Sequence, residues 1–159
     1  MGKVLSKFGN GYAGAISRSI DDIVVSYTNA SDVSIPFGAP VFLQQSSGGA
    51  VPFSSGLDMT TFLGFAVRSP SKTPETYGSD KGEYLPKEPM DVMTRGTLVV
   101  EAAGNPAPGG AVYIRLDNGK ITASAGTAGS TLELSNCHFR SNRDGKSMAE
   151  VLITKRNIG

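Results

Sequence analysis

The chain has 159 residues, 39% apolar and 18% charged, and its 15 cations against 14 anions leave a formal charge of +1. A chain of this length buries roughly 70% of the surface its unfolded form exposes, so one domain, with or without an arm, fits without disulfides or metal. The composition excludes a chain that is mainly membrane-spanning or strongly disordered, and near-zero net charge removes the usual electrostatic case for a nucleic-acid partner.

Residues 1–20 carry Lys3, Lys7 and Arg18, no acid and few large apolar groups. They read as an extended N-terminal arm, with the β domain expected over 21–159. Twenty extended residues reach roughly 66 Å, against a radius of gyration near 15 Å for a globule of this size, so the arm is long enough to lie on a neighbour. Between 16 and 27 the apolar residues recur at helical spacing. Ile23-Val24-Val25-Ser26-Tyr27 is nevertheless β-branched and aromatic, which predicts a strand over about 22–28. Pro40 stands at the head of a Val41-Phe42-Leu43 strand, a position where proline is tolerated. Thr61 to Arg68 is apolar on both faces and predicts a central strand.

Ser69 to Pro89 breaks the strand pattern. It holds Pro70, Pro74, Pro86 and Pro89 among seven charged residues. Loops of this length are commonly functional or disordered, and Lys72, Tyr77 and Tyr84 are its candidate contact residues, since tyrosine is enriched at interfaces. Met90 to Ala102 reads as a strand pair bent at Arg95-Gly96. Val112, Ile114 and Leu116 followed by Asn118-Gly119 predict a hairpin with a type I′ turn. Leu132 to Leu134, Asn136 to Arg140 and Ala149 to Thr154 supply the last strands, with a turn over 142–145. The sum is an all-β fold: a single small β-sandwich or barrel of about eight short strands, with the arm and one long Pro-rich loop over 69–89.

Motifs that carry chemistry fail their context tests. Gly9-Asn10-Gly11-Tyr12-Ala13-Gly14 matches the dinucleotide fingerprint, but no buried strand precedes it and no βα alternation follows. Placed on the calcium loop, the 140–151 stretch has Arg140 at the first ligand position and Glu150 one residue short of the bidentate one. Cys137 and His138 are the sole residues of their types. That excludes an intrachain disulfide and a Cys/His zinc site, and neighbours on a strand face opposite ways, so they form no nucleophile–base pair. There is no Gly-x-Ser-x-Gly elbow, and nothing selects two of the 14 acids as a catalytic pair. Asn29-Ala30-Ser31 is a glycosylation sequon, of consequence only in a secreted chain. Met1-Gly2 with Ser6 fits the myristoylation pattern loosely. The basic start lacks the apolar run of a signal peptide, and no run is long enough for a transmembrane helix. No enzyme, cofactor, metal or membrane partner is expected.

The order of segments resembles the structural cement, or decoration, proteins of tailed-bacteriophage capsids. The likeness is carried by Gly11 to Val25, Ile35 to Leu43, Phe62 to Val67, Lys72 to Tyr84, Met90 to Val100 and Gly109 to Ile121. It implies a non-enzymatic head-stabilising virion protein on the outer capsid surface, made in the host bacterial cytoplasm. Its implied partners are the major capsid protein and itself, as a homotrimer. Lys3, Lys7 and Arg18 are then expected as electrostatic contacts of the arm, and Lys72, Tyr77 and Tyr84 as contacts of the loop. Two rival readings stand beside it: another virion β module (tail-tube, tail-tip or fibre-base protein), which shares the composition, and, more remotely, a carbohydrate-binding module or small hydrolase, which the absence of Trp disfavours.

Overall fold

The computed structural model describes residues 11–69 and 82–157, with the backbone alone for 17–21. Eleven strands lie in this part of the chain: β1 (Ile16–Thr28), β2 (Ile35–Pro36), β3 (Pro40–Gln44), β4 (Gly49–Pro52), β5 (Phe62–Ala66), β6 (Glu83–Tyr84), β7 (Pro89–Ala103), β8 (Ala111–Arg115), β9 (Ile121–Thr122), β10 (Thr131–Phe139) and β11 (Met148–Ile153). A short 3-10 turn over Met59–Thr61 is capped by Asp58, whose carboxylate accepts from the Thr60 amide at 2.9 Å.

β7 is the strand around which the others are arranged. Its later half pairs with β11 from Gly96↔Ile153 to Glu101↔Met148, and its end pairs in parallel with β9 at Ala102↔Ile121. β9 joins β8, β8 joins β10 and β10 joins β11, which closes a five-stranded barrel. Alternate residues point inward, as the period of two requires: Leu98, Val100 and Ala102 from β7, Val112 and Ile114 from β8, and Ala149, Val151 and Ile153 from β11 are all buried. The earlier half of β7 pairs with β5, which continues through β3 to β4. β1 lies along the opposite edge of β7, since Val92 and Met93 pair with both β1 and β5.

β5 is buried along its whole length, as its apolar run predicts. A bulge at Leu63 sets Phe62 and Phe65 on the same side, where with Phe42 they form edge-on ring pairs 5.5 and 5.7 Å apart. Leu63 and Ala66 face the other way, into a second cluster with Ile35, Val41, Tyr84, Met90 and Val92. One strand thus feeds both cores.

Several expectations are corrected. The strands number eleven rather than about eight, and two of them are long: 13 residues in β1 and 15 in β7. Arg95-Gly96 does not turn the chain back. Gly96 adopts φ +125°, and β7 continues past it while β1 sets Ser19 to Asp22 against that one residue. The helical spacing near 16–27 belongs to a strand that begins at Ile16 and pairs with Leu98, so the end of the expected arm lies in the sheet. Asn118-Gly119 does not form a type I′ turn: Gly119 alone has positive φ, at +71°, and Asn118 uses its side chain to accept from the Lys120 amide. Thr131 to Phe139 is one strand with a register break between Glu133 and His138, not two.

Gly64 marks the closest approach of β5 to β7. A Cβ there would collide with the Met93 carbonyl and lie 3.3 Å from Thr94 Cα. The Gly64→Ala variant is expected to lose about 3 kcal/mol, lowering Tm by roughly 6–12 °C, as read by thermal unfolding. An unchanged Tm would show that the two strands have room to part.

Candidate partner-binding surface

The described residues hold no reactive centre of the kinds tested from sequence. No group of three or more His, Cys, Asp or Glu among them is placed to hold a metal ion. Cys137 is 1% exposed, and burial pushes its thiol far above the usual range. His138 is exposed on the opposite face of β10. Asp144 spends its carboxylate on the amides of Lys146 and Met148 at 2.8 and 3.0 Å, which is turn chemistry. The glycine fingerprint is followed by β1, not by a helix. Asn29, the sequon asparagine, is fully buried. Its side-chain amide donates to the carbonyls of Val33, Leu85 and Tyr84 at 2.9, 3.2 and 3.3 Å, and its oxygen accepts from Ser31.

Those bonds fix a surface feature. Val33 and Leu85 are 56% and 48% exposed, and Asn29 holds both backbones at one point. Lys87 closes the same corner, donating to the Ala30 carbonyl at 3.1 Å beside Asp32. That ion pair is solvated and adds little.

A second feature gathers around Tyr12 to Gly14, Phe37, Arg68 and Gly82. Gly14 donates to the Val99 carbonyl and accepts from the Arg68 amide, both at 2.7 Å. Its φ is +78°, and a Cβ would meet Arg68 N, Ala66 O and Gly38 N at 2.8–2.9 Å, so only glycine fits. The Arg68 guanidinium lies 5.0 Å from the Tyr12 ring centre and 5.7 Å from that of Phe37, at cation–π distance. The Phe37 amide bonds to the Gly82 carbonyl at 3.0 Å. Gly11, Ser69 and Gly82, the ends of the described segments, therefore meet around Arg68.

Beside this corner a groove of about 470 Å³ has an apolar floor that includes Phe37, Pro40, Pro52 and Phe53, and it is also lined by Glu101, Lys120 and Arg143. Phe53 ties the floor to the core through Phe42, 5.6 Å away.

Of the residues singled out in the sequence, Lys3, Lys7, Lys72 and Tyr77 lie outside the described part. Arg18 is in β1, its backbone opposite Thr97. Tyr84 is 2% exposed: its hydroxyl donates to the Val67 carbonyl at 2.6 Å, its ring sits edge-on to Phe37, and burial raises its pKa. It closes the second core and does not face solvent. Sequence reasoning missed Tyr12, Arg68 and Phe37. Arg68 carried one signal, a cation ending the apolar run of 62–67 at the root of the Pro-rich stretch.

Two predictions follow from this geometry. Asn29→Ala removes the amide that donates to three carbonyls, of which Leu85 keeps the Glu88 amide and Val33 the Ser31 hydroxyl, and should cost about 1–2 kcal/mol, as read by chemical denaturation; an unchanged midpoint would show that water replaces the amide. Cys137, buried and protonated, should resist iodoacetamide at about pH 8 in the native protein and react in denaturant. Equal rates in both conditions would contradict its burial.

A family model described as structural cement protein (E217 gp24/Pam3 gp6) matches residues 3–154. Among solved structures, a chain of "The capsid of Myoviridae Phage XM1" is similar in fold at a TM-score of 0.76 and 20% identity, over 96% of each chain. No curated protein matches.

Proposed function

This chain belongs to the structural cement protein family of bacteriophage capsids, and on that premise we propose that it binds the outer surface of an assembled capsid and cements neighbouring major capsid subunits. The observation that carries the reading is the meeting of Gly11, Ser69 and Gly82 around Arg68. The described chain next to residues 1–10 and 70–81 is fixed at that corner by the backbone hydrogen bonds of Gly14, Arg68 and Phe37. Two attachments from one rigid base make the second contact effectively intramolecular, which raises avidity without a new interface.

In this reading Lys3, Lys7 and Arg18 supply the cationic contacts of the N-terminal segment, and Lys72 and Tyr77 those of the Pro-rich stretch. Tyr84 has no part in it, because its hydroxyl and ring are engaged inside the domain. The protein acts as a homotrimer on the virion exterior after synthesis in the host cytoplasm. A formal charge of +1 supports crowding of many copies on one surface, since self-repulsion is small. The family is a structural one, and the role asks for rigidity and contact, with no turnover.

The experiment is deletion of residues 1–10, which leaves Gly14 and its bonds in place. Affinity for heads purified without this protein should fall at least about tenfold while Tm changes little. Unchanged affinity removes the N-terminal segment from the mechanism.

A further inference from the structure

The groove has a chemistry that the reading above does not use. Its floor is apolar, with Phe37, Pro40, Pro52 and Phe53, and Glu101, Lys120 and Arg143 stand along it, all exposed. Among the described residues, the side chains of these three form no ion pair or hydrogen bond. Charges that structure a protein's own loops are engaged, as Arg115 is with Asp117 at 2.7 Å. These three line one concave surface with an apolar floor, and no other described side chain engages them. The volume, about 470 Å³, falls in the range of sites that enclose a few side chains.

We propose that this groove holds an extended segment of the capsid surface that presents an apolar side chain or proline next to a carboxylate. The apolar group covers Phe37 and Phe53, and the carboxylate meets Lys120 and Arg143. Pairs of this kind at a rim set specificity and encounter rate more than affinity. The sign of the rim selects the occupant: with two cations and one anion it favours an acidic partner. The chain's own first ten residues contain Lys3 and Lys7 and no acid, and residues 70–81 balance Glu75 and Asp80 with Lys72 and Lys81, so neither segment, from this copy or a second one, is matched to it in net charge. The proposal rests on the capsid reading for its partner but not for its chemistry.

The test uses the full chain and two fluorescein-labelled peptides, Asp-Leu-Pro-Asp-Phe and Lys-Leu-Pro-Lys-Phe, followed by fluorescence anisotropy at low salt. The acidic peptide should bind at least about tenfold tighter than the basic one. The exposed-site variant Lys120→Glu/Arg143→Glu should lose or invert that preference, and Glu101→Lys should strengthen it. No saturable binding of either peptide up to ~1 mM, equal binding, or a preference for the basic peptide overturns the proposal; the last would identify the protein's own arm as occupant. Head binding separates the two claims. Wild type and Lys120→Glu/Arg143→Glu binding heads equally well rejects the groove and keeps the capsid reading. A peptide preference in a protein that ignores heads rejects the capsid as partner and keeps the groove's chemistry.

Discussion

One strand has to serve two cores, and Gly96 lets it do so. β7 contributes Met90 and Val92 to the cluster around Tyr84 and Leu98, Val100 and Ala102 to the barrel. Its partners change from β5 to β11 as it passes Gly96. An L side chain at φ +125° is strained, and a Cβ at this point would run into the Asp22 carboxylate and lie 3.2 Å from Met93 Sδ. The bend in β7 and the wide bulge in β1 are therefore one feature. Because β7 pairs with β1, β5, β9 and β11, a change at this residue reaches both halves of the molecule.

The same strand anchors the chain's entry. Val99 exchanges hydrogen bonds with Gly14 and Ala15, at 2.7 and 2.9 Å, while Gly14 also takes the Arg68 amide. Backbone bonds of this kind are obligatory when buried, so the segment is held by the fold and not by its side chains. That explains how a stretch with few large apolar groups sits firmly in the domain from Gly14 onward. The Arg68 guanidinium, stacked by Tyr12 and Phe37, closes the corner from outside.

What the sequence made legible follows from what its patterns encode. The unbroken apolar run at 62–67 could only be a strand buried on both faces, and it is. Pro40 starts β3, as a residue without an amide donor can. The opposite facing of Cys137 and His138 follows from strand period alone. The misreadings share a cause: each was a local signal overruled by a distant partner. Gly96 looks like a turn until β1 supplies extra residues beside it. Asn118-Gly119 looks like a tight hairpin until the Asn118 side chain caps the Lys120 amide. Tyr84 looks like a surface tyrosine in a charged loop, and only its pairing opposite Ile35 turns it inward. The groove had no sequence signature, since Phe53, Glu101, Lys120 and Arg143 come from four separate parts of the chain.

The corner around Arg68 also determines how load would travel. A pull applied at Gly11 and another at Ser69 meet by a short route: Gly11 to Gly14, then across the 2.7 Å bond to Arg68. Tension between those two points is then carried by a handful of backbone atoms, which the Val99 backbone of β7 braces through its bonds to Gly14 and Ala15.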